Sequence, residues 1–211
     1  MTRKLHRITG LILVAFVLMH MATHLSGLWG IDAYNATQAK LRLVYRNQLV
    51  EPLLFLAIAV QVGSGLRLIF TGFRRRWAHK WGRVQTLSAL IFLLFILQHM
   101  SAMILARWVE GLDTNFYWPA SVMNGPPFTY YFVPYYFFGV SALFVHLGCA
   151  ARLALIRHKQ PVATPAFWIL AGSGALMAAV IDAMLLGAFY PITLPAEWIA
   201  YLQAFVPASG K

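Results

Sequence analysis

Along this chain apolar and polar residues alternate in long blocks rather than turn by turn. Five blocks reach the roughly 20 mostly apolar residues that span about 30 Å of hydrocarbon: residues 8–28, 52–73, 84–106, 130–151 and 165–190. The first carries no charge, the second only Arg67, and the fifth only Asp182. Thr164 followed by Pro165 reads as an N-cap with proline at the first helical position. Pro191 and Pro195 argue against any extension of the fifth helix. Beyond them AEWIAYLQAFV, from Ala196 to Val206, reads as a short amphipathic helix on the membrane interface. The connections run to about 20 residues, too short for a core of their own. The pattern predicts an all-α membrane protein, a five-transmembrane-helix bundle forming one domain over residues 1–211.

Charge adds an orientation. Arg3, Lys4 and Arg7 precede the first block; Arg74, Arg75, Arg76, Lys80 and Arg83 join the second and third; Arg152, Arg157 and Lys159 follow the fourth. Basic loops of membrane proteins face the cytoplasm, so the amino terminus is expected inside (cytoplasmic or mitochondrial matrix side) and the carboxyl terminus outside. Lys40, Arg42 and Arg46 on the opposite side are the exception to the pattern. The basic start also looks like a signal peptide, but 21 uncharged residues exceed an h-region of 7–15 and no small-x-small cleavage site stands out. An uncleaved helix in a bacterial inner membrane (or mitochondrial inner membrane) is expected.

Composition sharpens this. The chain is 60% hydrophobic and 11% charged, with a mean hydropathy of +0.67, against about 25% charged in soluble domains. A soluble enzyme, a disordered tail and a disulfide scaffold are excluded; Cys149 is the single cysteine. A net charge of +11 would suggest nucleic acid in a soluble protein. Here it reads as loops facing an anionic leaflet, with lipid bilayer and no nucleic acid as partner.

A shift of 79 residues overlays the first block on the third. TGLILVAFVLMHM, from Thr9, meets SALIFLLFILQHM, from Ser88, and His20 coincides with His99. His20 lies eight residues before Leu28 and His99 eight before Arg107, so both sit about 12 Å inside the outer surface at 1.5 Å per residue. The second and fourth blocks share another spacing: Gln61 and His146 each precede an arginine, Arg67 and Arg152, by six residues.

Intramembrane histidine is costly unless satisfied and marks function by default. Two histidines at one depth on different helices suit the two axial positions of a haem iron. Gly10, Gly63, Gly65, Gly148 and Ala150 are candidates to admit a flat macrocycle, and Arg67, Arg152, Arg42, Arg46 and Arg107 to pair with its propionates. The plainer reading is that each histidine hydrogen-bonds a neighbouring helix. His24, one turn beyond His20, competes for the ligand role, although Met103 stands opposite it in the repeat. His6, His79 and His158 read as solvated interface residues. Without a CxxCH motif, covalent haem attachment is excluded.

HRITGLILVAFVLMHM, QVGSGLRLIF, LSALIFLLFILQHM and LFVHLGCAARLAL resemble the di-haem cytochrome b membrane anchor of succinate dehydrogenases and fumarate reductases, over the first four blocks. The resemblance implies that His20 and His99 bind the outer haem b, and that Gln61 and His146 stand where the inner haem's ligands lie. Glutamine departs from the usual ligand, so one haem b is expected, with a second only if the inner pocket supplies another ligand; a quinone is the other candidate occupant. The resemblance also implies flavoprotein and iron–sulfur subunits on the inner face. YRNQLVEPLLFLAIAVQVGSGLRLI is similar to a related mitochondrial family implicated in haem handling.

The function expected first is electron transfer between a membrane quinone and a soluble partner, with Glu51 and Asp182 as candidate proton acceptors. Such a chain is at most one subunit of an oxidoreductase. Membrane haem binding or transport without redox turnover is the alternative, and a polar-packed bundle without cofactor the third reading.

Overall fold

The computed structural model describes residues 1–205, all helix and connection with no strand among them. Helices α1 (Thr2–Ser26), α3 (Val50–Trp77), α4 (Lys80–Ile104), α6 (Phe128–Arg157) and α7 (Ala163–Leu185) are the long ones. These five are long and apolar enough to cross a membrane, α1 with its 3₁₀ extension to Trp29 and α4 with a π-helical turn from Leu105 to Val109. Leu11, Leu18, Leu94, Ile169 and Leu176 point outward, as lipid-facing positions do.

Most helices outrun the apolar blocks, because arginine, lysine and glutamine are good helix formers at a membrane boundary. The fifth is shorter than expected. It stops at Leu185, not Tyr190, because Gly187 takes φ +82° beyond the cap residue Leu186. Its N–H bonds the Met184 carbonyl, and Ala188 N–H bonds the Ala183 carbonyl, each at 3.0 Å. That pair of bonds is a Schellman stop.

Two helices fall in connections read as loops. Helix α2 (Ile31–Tyr45) follows Gly30 at φ +119° and buries Tyr34 and Gln38, one turn apart, against α1 and α3. Helix α5 (Tyr117–Met123) buries Pro119, Ala120, Ser121 and Met123. The expected interface helix is α8 (Ala196–Gln203), with Trp198 fully buried; Val206 lies outside the described residues.

The bundle has two parts. Helix α1 packs with α2 and α3, while α4, α6 and α7 pack together, and α3 against α4 joins the parts. Close approach in the second part depends on absent side chains: a Cβ at Gly139 would overlap the Phe95 ring, and one at Gly174 the Phe144 side chain. Helices α1 and α4 do not pack on each other closely. The space between them is the site.

Candidate functional site

The repeat-related histidines meet across that space. The His20 and His99 ring centroids are 6.1 Å apart, with the rings inclined at 72°. Each stacks on the phenylalanine one turn earlier, His20 on Phe16 (5.6 Å, 20°) and His99 on Phe95 (5.5 Å, 14°). Trp118 flanks His99 at 5.4 Å. On α1 itself, His24 turns its Nε2 to within 3.3 Å of His20 Nε2. All three histidines line one cavity of about 190 Å³, walled mostly by apolar side chains of α1, α3, α4, α6 and α7, with Asp182, Glu51, Arg42, Arg46 and Arg107 also on its lining.

Two imidazoles on different helices are the donor set that a haem iron would take, and His20 and His99 would be the residues to hold it. Two adjustments are needed. His20 Nε2 has to turn away from His24, and the lining side chains have to open a cavity smaller than the roughly 300–1,000 Å³ of ligand pockets.

Cations stand at the cavity mouth. Arg42 pairs with Asp113 at 2.7 Å, Arg46 approaches the same carboxylate at 3.8 Å, and Arg107 pairs with Glu51 at 2.7 Å. Arg42 also donates to the Thr114 carbonyl and Arg46 to the Thr114 hydroxyl. Helix α2 carries Arg42 there, with Arg46 at its C-cap. Burial, then the neighbouring Arg42 and Arg107, hold the Arg46 guanidinium below its ordinary pKa, against the opposing pull of Asp113. The mouth is short of negative charge.

Of the two acids expected to accept protons, Glu51 is engaged with Arg107. Asp182 is buried and lines the cavity, its Oδ1 without a hydrogen-bond partner among the described residues. The ordinary reading of Asp182, an acid bonded to a neighbouring Ser, Thr or His, does not hold for that oxygen.

The inner level differs from expectation. Gln61 is tied to α1: Thr9 donates to its Oε1 at 2.5 Å, and its own Nε2 donates to His6 Nε2 at 3.3 Å. That leaves the His6 proton on Nδ1, which meets Ser64 Oγ at 3.0 Å. His6 is therefore a half-buried member of a polar network between α1 and α3, not a solvated loop residue. His146 instead donates from Nδ1 to the Gln85 backbone carbonyl at 3.4 Å. No hydrogen bond joins Gln61 to His146 among the described residues. Arg152 lies 3.8 Å over the Trp81 ring and reaches Thr164, while Arg67 is exposed; neither lines the outer cavity.

The small residues expected beside a macrocycle do other work. Gly10 makes room for Gln61, Gly65 for His6, and Gly148 for Phe167, while Gly63 faces open space and Ala150 is exposed. None lines the outer cavity. Sequence reasoning missed His6, Thr114 and Trp118; only His6 left a signal, three residues before Thr9 on the same helix face.

No three His, Cys, Asp or Glu side chains converge as a metal-ion site among the described residues. No protein-family model, curated protein or solved structure matches the chain.

Proposed function

We propose that the chain holds one haem b between His20 and His99 and transfers electrons between a membrane quinone and a soluble partner, as the cytochrome b anchor of succinate dehydrogenase or fumarate reductase does. One observation carries the reading: two histidines on helices that do not pack together face each other at 6.1 Å across a cavity. When bound, the haem supplies one-electron chemistry.

The chain's own residues divide the remaining work. His20 and His99 hold the iron, and Phe16 and Phe95 fix their rings. Arg42, Arg46 and Arg107 receive the propionates at the mouth, and the apolar walls exclude water. Asp182, buried with an unpartnered Oδ1, would be the group able to hold a proton on the cavity wall. In this reading the basic loop of Arg74 to Arg83 faces the cytoplasm or matrix, where flavoprotein and iron–sulfur subunits dock, in a bacterial or mitochondrial inner membrane.

The alternative is haem binding or transport without turnover. The narrow cavity favours it, since side chains that must open to admit a ligand also release it. A reduced-minus-oxidised spectrum of the purified chain tests both. A low-spin b-type difference band is expected, and its absence overturns both readings. Co-purification with flavin and iron–sulfur subunits selects electron transfer; a haem chain isolated without them selects transport.

A further inference from the structure

The outer cavity joins a cationic mouth to a long apolar body. Arg42, Arg46 and Arg107 stand on its lining. On α4 the lining runs from Arg107 back to Phe92, about 22 Å at 1.5 Å per residue. On α1 it runs from His24 back to Phe16, about 12 Å by the same rise. A volume of about 190 Å³ drawn out over such a depth is narrow. Those are the proportions of a chain rather than of a plate. An extended hydrocarbon advances about 1.25 Å per carbon, given C–C bonds of about 1.5 Å, so the depth takes about ten to eighteen carbons.

The mouth selects the head group. Among the described residues Asp113 pairs with Arg42 at 2.7 Å and Glu51 with Arg107 at 2.7 Å, while Arg46 comes only to 3.8 Å of Asp113. One nitrogen of Arg46 donates to the Thr114 hydroxyl; the rest of its fork has no close anion. An arginine fork matches a carboxylate in geometry as well as charge. Three guanidiniums against two carboxylates leave one positive charge, which calls for a monoanion. We propose that the outer cavity binds a long-chain fatty carboxylate, with its head on Arg46 beside Arg42 and Arg107 and its chain along the apolar wall toward Phe92. This site uses no histidine nitrogen and is independent of the haem. Haem and fatty acid exclude each other only if the haem reading also holds, because both then need the same space and the same arginines.

The probe is radiolabelled palmitate, equilibrated with the haem-free full-length chain in nanodiscs and counted by scintillation proximity. One saturable equivalent is expected. Arg46→Gln should weaken it at least fivefold. Hexadecanol, which keeps the chain and lacks the charge, should displace it at least tenfold less well than unlabelled palmitate. His99→Ala should change palmitate binding less than threefold while removing a haem ligand, which separates the two readings. Absence of saturable binding, unchanged affinity in Arg46→Gln, or equal displacement by hexadecanol overturns the proposal. Displacement by a lysophosphatidate at lower concentration than by palmitate overturns the choice of a carboxylate head. Should Arg46→Gln fail to fold, palmitate carrying a photoreactive diazirine at its far end locates the chain in the unmodified protein. Label on Phe92, Ile96 or Leu143 of the cavity wall supports the proposal, and label confined to outward-facing positions such as Leu11 and Leu176 refutes it.

Discussion

His20 and His99 occupy equivalent places in two copies of one pattern. The ring of each lies nearly parallel to a phenylalanine four residues earlier, Phe16 or Phe95. A stack of that kind limits rotation about the side chain, and the His20 Nε2 atom is in addition turned to His24 at 3.3 Å. His24 has no equivalent partner in the repeat, where Met103 stands, and its ring packs edge-on to His20 and Tyr34 instead. The pair matched in the repeat is therefore His20 with His99.

The ligand assignment follows from that difference. His20→Ala and His99→Ala should each abolish the low-spin haem spectrum, because one remaining axial ligand leaves the iron five-coordinate. His24→Ala should preserve it. Spectra at matched protein levels decide. Retention in His20→Ala with loss in His24→Ala would move the ligand one turn along α1.

Stoichiometry should be one haem per chain. Gln61 is engaged with Thr9 and His6, and His146 with the Gln85 carbonyl. For the same reason Gln61→His alone should leave the ratio at one. Pyridine haemochrome against protein mass measures it, and a ratio of two would show that the inner network opens. Gln61→Ala should destabilise the chain by about 1–3 kcal/mol, since it strands the part-buried His6 Nε2 while Thr9 keeps the Leu5 carbonyl, without changing the outer spectrum.

The five membrane helices were legible because hydrocarbon imposes a length and a polarity that single residues seldom override. The His20/His99 pair was legible through the repeat, which transmits depth from one helix to another. Ends and surface helices were not. Gly187 stops α7 through its positive φ, a signal weaker in an apolar run than the prolines beyond it. Helix α2 mixes polar and apolar residues, so nothing in its average hydropathy marks it, yet it carries Arg42 and Arg46 to the mouth. Gln61 and His146 share a spacing to an arginine, but spacing along two helices does not fix which way each helix face turns. Gln61 meets α1 and His146 meets α4.

The cavity mouth should respond to charge. Among the described residues Arg42, Arg46 and Arg107 pair with Glu51 and Asp113 alone there, which leaves one excess positive charge. Haem brings two carboxylates. Glu51→Gln should free Arg107 and tighten haem severalfold, about 1 kcal/mol for a partly exposed pair, and Arg46→Gln should weaken it similarly. Both effects should shrink in high salt. Titration of haem into the haem-free chain at two ionic strengths reads them, and identical affinities would separate the arginines from the ligand.

Topology has its own test. A reporter fused ahead of Met1 and one in the Arg74–Arg83 loop should report the same compartment, and one in the connection after α7 the other. Agreement among all three would remove a crossing, and with it the shared depth of His20 and His99.

The last prediction links packing to the site. Gly139 on α6 leaves no space for a Cβ, because the Phe95 ring already lies there, and Phe95 in turn stacks on His99. Gly139→Ala should therefore push Phe95 away and release the His99 ring. Overpacking of this kind costs about 1–3 kcal/mol. The informative effect is on the spectrum: haem affinity should fall although no ligand has changed, and the low-spin bands should broaden as His99 samples more than one orientation. Gly63→Ala is the control, since nothing lies within 4 Å of its added Cβ, and it should alter neither stability nor spectrum. Thermal melts and haem titrations of both variants check this together. A destabilised Gly139→Ala with unchanged haem binding would mean that the stack on Phe95 does not hold His99 in place.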